Sequence, residues 1–177
     1  MHHRIKAAAA ALVVAAVTLG TGVGTSAGAG QAAAAPSDRS HAVACPAIPS
    51  GRVDDAVRRL APPFPGRAIP WVVTGQGSAM GCWSKWVQVY PRGATGSSPT
   101  HILFFDQDRF ISTATRKPTA FTHVVRSAWP GEVTISYRWL IGDDATAHPR
   151  GHALVPFQSV PFVAPFPLTP IPGQVLR

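Results

Sequence analysis

The sequence predicts an α+β domain: an antiparallel β-meander of about six strands, one N-terminal helix packed on it, and one disulfide. Three observations carry this. Only one segment has apolar residues at helical spacing, Val53, Ala56, Val57 and Leu60. Beyond it, the apolar runs alternate with period two and are punctuated by Gly and Pro. The composition also starves long helices: Glu132 is the single Glu of 177 residues, there are two Met, and only 14% of the chain is charged, against roughly 25% in an average globular protein.

In the helix, which spans 50–60, Ser50 can cap the first turn. Asp54 and Asp55 lie early, Arg58 and Arg59 late, an order that suits the helix dipole, and Pro62-Pro63 ends it. A short strand follows at 70–74, then a glycine-rich loop at 75–81. Residues 83–90 alternate, with Trp83, Lys85, Val87 and Val89 on one face and Ser84, Trp86, Gln88 and Tyr90 on the other. The runs 101–105 and 110–113 form a hairpin across a four-residue connection. Two further β-rich runs, 120–127 and 132–141, are split by Trp129-Pro130-Gly131, and a last strand covers 152–157. The six prolines of 156–172 exclude a central strand, so this segment is expected to wrap the sheet in extended form. The result is a single domain over 45–172 with a tail at 173–177.

Ahead of that domain lies an address. Arg4 and Lys6 precede an uncharged 13-residue apolar run at 7–19, and small residues lead to four alanines at 32–35. This is the tripartite layout of a secretory signal peptide over 1–35, followed by a flexible leader at 36–44. An uncleaved anchor is the alternative, although the run is shorter than the roughly 20 residues a bilayer requires. Removing 1–35 leaves 14 basic and 8 acidic residues, a net charge of +6. The expected location is secreted, extracellular or in the cell envelope. In that oxidising space Cys45 and Cys82 read as a disulfide. The competing role for Cys45 is lipidation, since Ala42-Val43-Ala44 loosely resembles a lipobox, but the apolar run ends 26 residues upstream.

Chemistry-bearing patterns are sparse. The loop at 75–81 has no Lys-Ser or Lys-Thr pair of a phosphate-binding loop, and Ser78 is preceded by Gly77 but lacks the Gly two residues after it that a nucleophile elbow carries. His148 and His152 near Asp143 and Asp144 have a ligand-like spacing, but Pro149 and Gly151 break the helix that would give it meaning. Ser97, Ser98, Ser112, Ser127 and Ser136, with His101, His123, Asp106 and Asp108, supply types but no motif for a hydrolytic triad. No catalytic, cofactor-binding or metal-ligating residue is assigned, and no cofactor is expected. The basic residues are dispersed, which argues against nucleic acid. They suit an anionic cell-envelope polymer, a lipid or another surface protein. Trp86 and Trp129 are candidates for an exposed stacking surface.

Several blocks then follow in a familiar order: Ser97-Ser98-Pro99-Thr100-His101-Ile102-Leu103-Phe104-Phe105, Phe110-Ile111-Ser112-Thr113-Ala114-Thr115, and Val133-Thr134-Ile135-Ser136-Tyr137-Arg138-Trp139. With the Cys82-x-x-x-Trp86-Val87 segment and Pro170-Ile171-Pro172, this order resembles the LppP/LprE family of actinobacterial exported lipoproteins. The resemblance covers about 45–172. It implies a cell-envelope or secreted location and brings no catalytic residues. The chain departs from that pattern in lacking a well-placed lipobox cysteine, which favours a freely secreted form. A non-enzymatic binding module is therefore the leading expectation. The alternatives are a small hydrolase using His101 or His123, and a hydrophobic-ligand carrier, which needs an enclosed apolar pocket.

Overall fold

The computed structural model describes residues 45–177. The expected signal peptide and leader lie outside the described residues. The elements in chain order are α1 (Ser50–Arg58), β1 (Trp71–Ser78), β2 (Ser84–Pro91), β3 (His101–Asp106), β4 (Arg109–Thr113), β5 (His123–Arg126), β6 (Glu132–Trp139), β7 (Gly151–Val160) and β8 (Val163–Pro167). They form two four-stranded antiparallel sheets, ordered β1-β2-β3-β4 and β5-β6-β7-β8. The α+β class holds; the single six-stranded meander does not. The chain breaks the meander after β4, where Pro118 and the Thr119-Thr122 hydroxyl pair carry it to the second sheet.

Alternation explains the layering. Val87 and Val89 of β2, with Leu103 and Phe105 of β3, point to one side of the first sheet and meet Val53 and Ala56 of α1. The opposite-parity residues Trp86, Ile102 and Phe104 point the other way, onto Val133, Ile135, Tyr137, Val155 and Phe157 of the second sheet. Helix, sheet and sheet are therefore stacked around two apolar layers, with β2 and β3 contributing to both. Phe104 and Phe157 meet across the inter-sheet layer at 5.5 Å between ring centroids. Polar ties cross it as well: Ser84 Oγ lies 2.8 Å from Ser159 Oγ, and Val124 N–H donates to Gln88 Oε1 at 3.1 Å.

Several sequence expectations are corrected. Ser50 does not cap α1. Pro49 occupies that position, and its carbonyl accepts from Arg52 and Val53. Most of the glycine-rich loop is strand: β1 runs through Gly75 and Gly77, because the Trp86 indole lies across those two positions. The β3–β4 connection is shortened to Gln107-Asp108, with Gln107 at φ 53°. The proline-rich segment enters the sheet instead of wrapping it. Pro156 sits inside β7, and its carbonyl accepts from Leu168 N–H, so its missing donor faces the point where β8 ends. By alternation Pro165 and Pro167 then turn their nitrogens to the free edge of β8, where no ladder bond is lost and further strand addition is blocked. Cys45 and Cys82 are bonded, with Cα atoms 5.1 Å apart, tying the chain ahead of α1 to the β1–β2 connection.

Candidate functional site

Two turns and a helix converge at one end of the stack. Arg52 and Asp55 of α1, Arg59 at its C-terminal cap, the β3–β4 turn (Asp106 to Arg109) and Phe162 between β7 and β8 line an open cleft of about 470 Å³. Its acids are engaged. Asp55 pairs with Arg58, Asp108 accepts from Lys85 Nζ at 3.1 Å, and Asp106 accepts from Phe162 N–H at 2.9 Å with Arg109 3.9 Å away. Arg52 and Arg59 have no acidic partner among the described residues.

Phe162 is the unusual member. It follows Pro161 in the β7–β8 turn at φ 68°, a left-handed backbone that a bulky residue adopts at a cost of about 1–2 kcal/mol. Its side chain gains little burial in return, being 80% exposed. The Asp106 carboxylate fixes its amide, and the Arg109 guanidinium sits 5.6 Å from the ring centroid. The cleft thus combines an exposed aromatic face, two uncommitted guanidiniums and carboxylate oxygens with spare lone pairs. Sequence reading missed it, because 156–172 was expected to be an extended wrap. The available signal was Pro161-Phe162 flanked by Val160 and Val163, a turn pair between two β-branched residues.

Among the described residues, His101 and His123 have no serine or carboxylate in hydrogen-bond contact. His101 is buried on the helix side of β3 beside Trp71, 5.3 Å between ring centroids, and its Nδ1 has no hydrogen-bond partner. Burial lowers its pKa to about 4, and it makes none of the turn-stabilising hydrogen bonds that its place after Ser97-Ser98-Pro99 suggests. His123 borders a second open hollow of about 540 Å³ with Tyr90, Ser97 and Arg138. Burial, then the Arg138 and His152 charges, depress its pKa. No serine or carboxylate is within hydrogen-bonding distance of its ring among the described residues. The one Ser–His contact is Ser136 Oγ to His152 Nε2 at 3.1 Å, but Ser136 is only 2% exposed and no acid orients His152.

The remaining candidates resolve into structure. Asp144 is a loop clamp. Its desolvation alone would raise its pKa, but the backbone N–H groups of Arg150 and Ile141 and the Arg150 guanidinium hold the carboxyl below its ordinary range. Among the described residues no group of three or more His, Cys, Asp or Glu is placed to hold a metal ion, so His148, His152, Asp143 and Asp144 do not converge. Trp86 packs against the inter-sheet core and offers no stacking surface, whereas Trp129 is 58% exposed. The inter-sheet space is filled by Phe104, Tyr137 and Phe157, and the hollows found open to solvent with mixed linings.

Residues 80–161, from the end of the disulfide loop to the β7–β8 turn, match the family model described as LppP/LprE lipoprotein. The resemblance read from the Ser-Pro-x-His-Ile-Leu-Phe-Phe block is therefore shown over that segment. The chain is 34% identical over 109 residues to the protein named LppP of Mycobacterium bovis, and equally to that of two Mycobacterium tuberculosis strains. The alignment covers 60% of this chain and spans 62% of the length of those relatives. No solved structure matches.

Proposed function

We propose that the protein is an extracytoplasmic, cell-envelope-associated domain that works by binding another surface component, and that the cleft between α1, the β3–β4 turn and Phe162 is its ligand site. The chemistry fits an anionic saccharide of the envelope. The Phe162 ring offers an apolar platform for a pyranose face, Arg52 and Arg59 offer charge-assisted donors, and the Asp106 and Asp108 carboxylates offer acceptors for hydroxyls. The observation that carries this reading is Phe162 itself, a mostly exposed aromatic held in a strained backbone at the mouth of a cleft. The family description supports an envelope location.

Isothermal titration with a galacturonate oligosaccharide, and with a neutral galactose oligosaccharide of equal length, tests the site. Binding of the acidic oligomer should weaken with salt and fall in Phe162→Gly and in Arg52→Gln with Arg59→Gln. Equal affinity for both oligomers, or wild-type affinity in those variants, overturns the assignment. Unreduced intact-mass analysis of supernatant and membrane fractions tests the location: a product starting at Met1 inside cells with two free thiols overturns it.

A further inference from the structure

The outer face of the second sheet buries Thr134 and Ser136 on β6 but leaves large apolar side chains exposed along β7 and β8. Its inner residues, Val133, Ile135, Tyr137, Val155 and Phe157, are in the core. By strand parity the outer face of β7 and β8 carries Leu154, Pro156, Val160, Phe166 and Leu168, and the register shift near the turn sets Val163 opposite Val160. These are neighbours across the ladder: Val160 pairs with Val163, Phe166 with Gln158 beside it, and Leu168 N–H bonds to the Pro156 carbonyl. The five large apolar side chains among them are each 44–53% exposed. From Leu154 to Val160 the strip runs about 20 Å at strand spacing. A contiguous strip of this kind is unlike the scattered surface apolar residues of ordinary domains.

Charge runs beside it. The same face continues onto β6 and β5 with Arg138, whose guanidinium also donates to the Pro149 carbonyl at 2.7 Å, and Arg126; the one acid on it among the described residues is Glu132, which lies 3.6 Å from Arg126 and accepts from Thr134. Thr134 and Ser136 lie low between taller neighbours, so the cations and the apolar strip define the relief. The described residues as a whole carry 13 Lys and Arg against 7 Asp and Glu. An apolar strip flanked by arginines matches a surface with an apolar interior and anionic head groups.

We propose that the outer face of the β5-β6-β7-β8 sheet docks onto an anionic lipid membrane, with Leu154, Val160, Val163, Phe166 and Leu168 entering the head-group boundary and Arg126 and Arg138 reaching lipid phosphates. Both cysteines of this sequence are bonded to each other. Docking through this face needs no acylated thiol.

Co-sedimentation of the secreted protein with vesicles of phosphatidylcholine, alone or mixed with phosphatidylglycerol, tests this. Binding is expected to the mixed vesicles and not to the neutral ones. Phe166→Ser and Leu168→Ser should each weaken it about tenfold, from the apolar area no longer buried. Arg126→Gln should weaken it about fivefold. Both apolar positions are half-exposed, so the unfolding midpoint should stay near wild type, and a shared collapse would appear in that control. Phe166→Ser should retain oligosaccharide binding and Phe162→Gly should retain vesicle binding, which separates this face from the cleft. Equal binding to neutral vesicles, no effect of the two serine variants, or a concentration-dependent dimer abolished by those variants overturns the proposal.

Discussion

Two glycines on the same face of β1 should respond oppositely to an added methyl group. Gly77 lies across the ladder from Trp86, and a Cβ built there would stand 2.8 Å from Trp86 Cζ2 and 2.9 Å from Cε2. Real side chains do not approach so closely, and the indole cannot retreat because it packs against the inter-sheet core. Gly77→Ala should therefore destabilise by about 1–3 kcal/mol, the usual cost of overpacking. At Gly75 the same Cβ would meet Trp86 Cζ3 at 3.5 Å, an ordinary contact. Gly75→Ala should be neutral or stabilising by about 0.5–1 kcal/mol, through the reduced freedom of the unfolded strand. Urea unfolding followed by far-UV circular dichroism measures both. In a Trp86→Phe background the Gly77→Ala penalty should shrink by at least half, since the smaller ring vacates the contact. Equal effects of the two alanines, or an unchanged penalty without the indole, would refute the account of why this glycine-rich stretch is strand.

Burial of neutral His101 should make stability pH-dependent. The unfolded chain takes up a proton near pH 6.5 and the native one only near pH 4, so stability is full above pH 6.5 and declines as pH falls through that window. The total loss is at most about 3 kcal/mol. His101→Phe should flatten the dependence of the urea midpoint between pH 7 and 5, leaving a residual slope of the same sign from His123. Reducing the Cys45–Cys82 bond, which closes a loop with sequence separation 37, should lower stability by about 4 kcal/mol in the chain-entropy model, read as a shift in unfolding midpoint with and without reductant. Tyr137 is fully buried with an unpartnered hydroxyl, so Tyr137→Phe should be neutral or stabilise by up to about 1 kcal/mol in the same assay.

Period-two alternation in the sequence located β2, β6 and most of β7, and the hairpin signal located β3, because each of these strands buries one or both faces. It also separated the two faces of β2 correctly, which is what sends Val87 to the helix and Trp86 to the other sheet. It could not divide the strands between two sheets. A strand buried on both sides, such as β3, reads the same whether its second face meets a helix or another sheet. Proline was misread for a definite reason. The rule against proline in sheets concerns the missing N–H, and at Pro156, Pro165 and Pro167 that donor falls where no partner strand reaches. The cleft was illegible because Arg52, Asp106 and Phe162 are distant in sequence and meet only when the β7–β8 turn closes over Asp106.

The same hairpin joins the two proposed surfaces. Phe162 at its tip faces the cleft, whereas Val160, Val163, Phe166 and Leu168 along its length form the apolar strip. A hairpin serving only the fold would place Gly or Asn after Pro161 and polar residues on its outer positions, removing both the backbone strain and the exposed apolar area. Neither substitution would disturb the inner contacts at Phe157 and Ser159, which hold the sheets together. The inner side of the hairpin therefore answers to stability and its tip and outer side to recognition. Mutations should divide the same way: Phe157→Ala should lower the unfolding midpoint, whereas Phe166→Ser should leave it and change only what the protein binds.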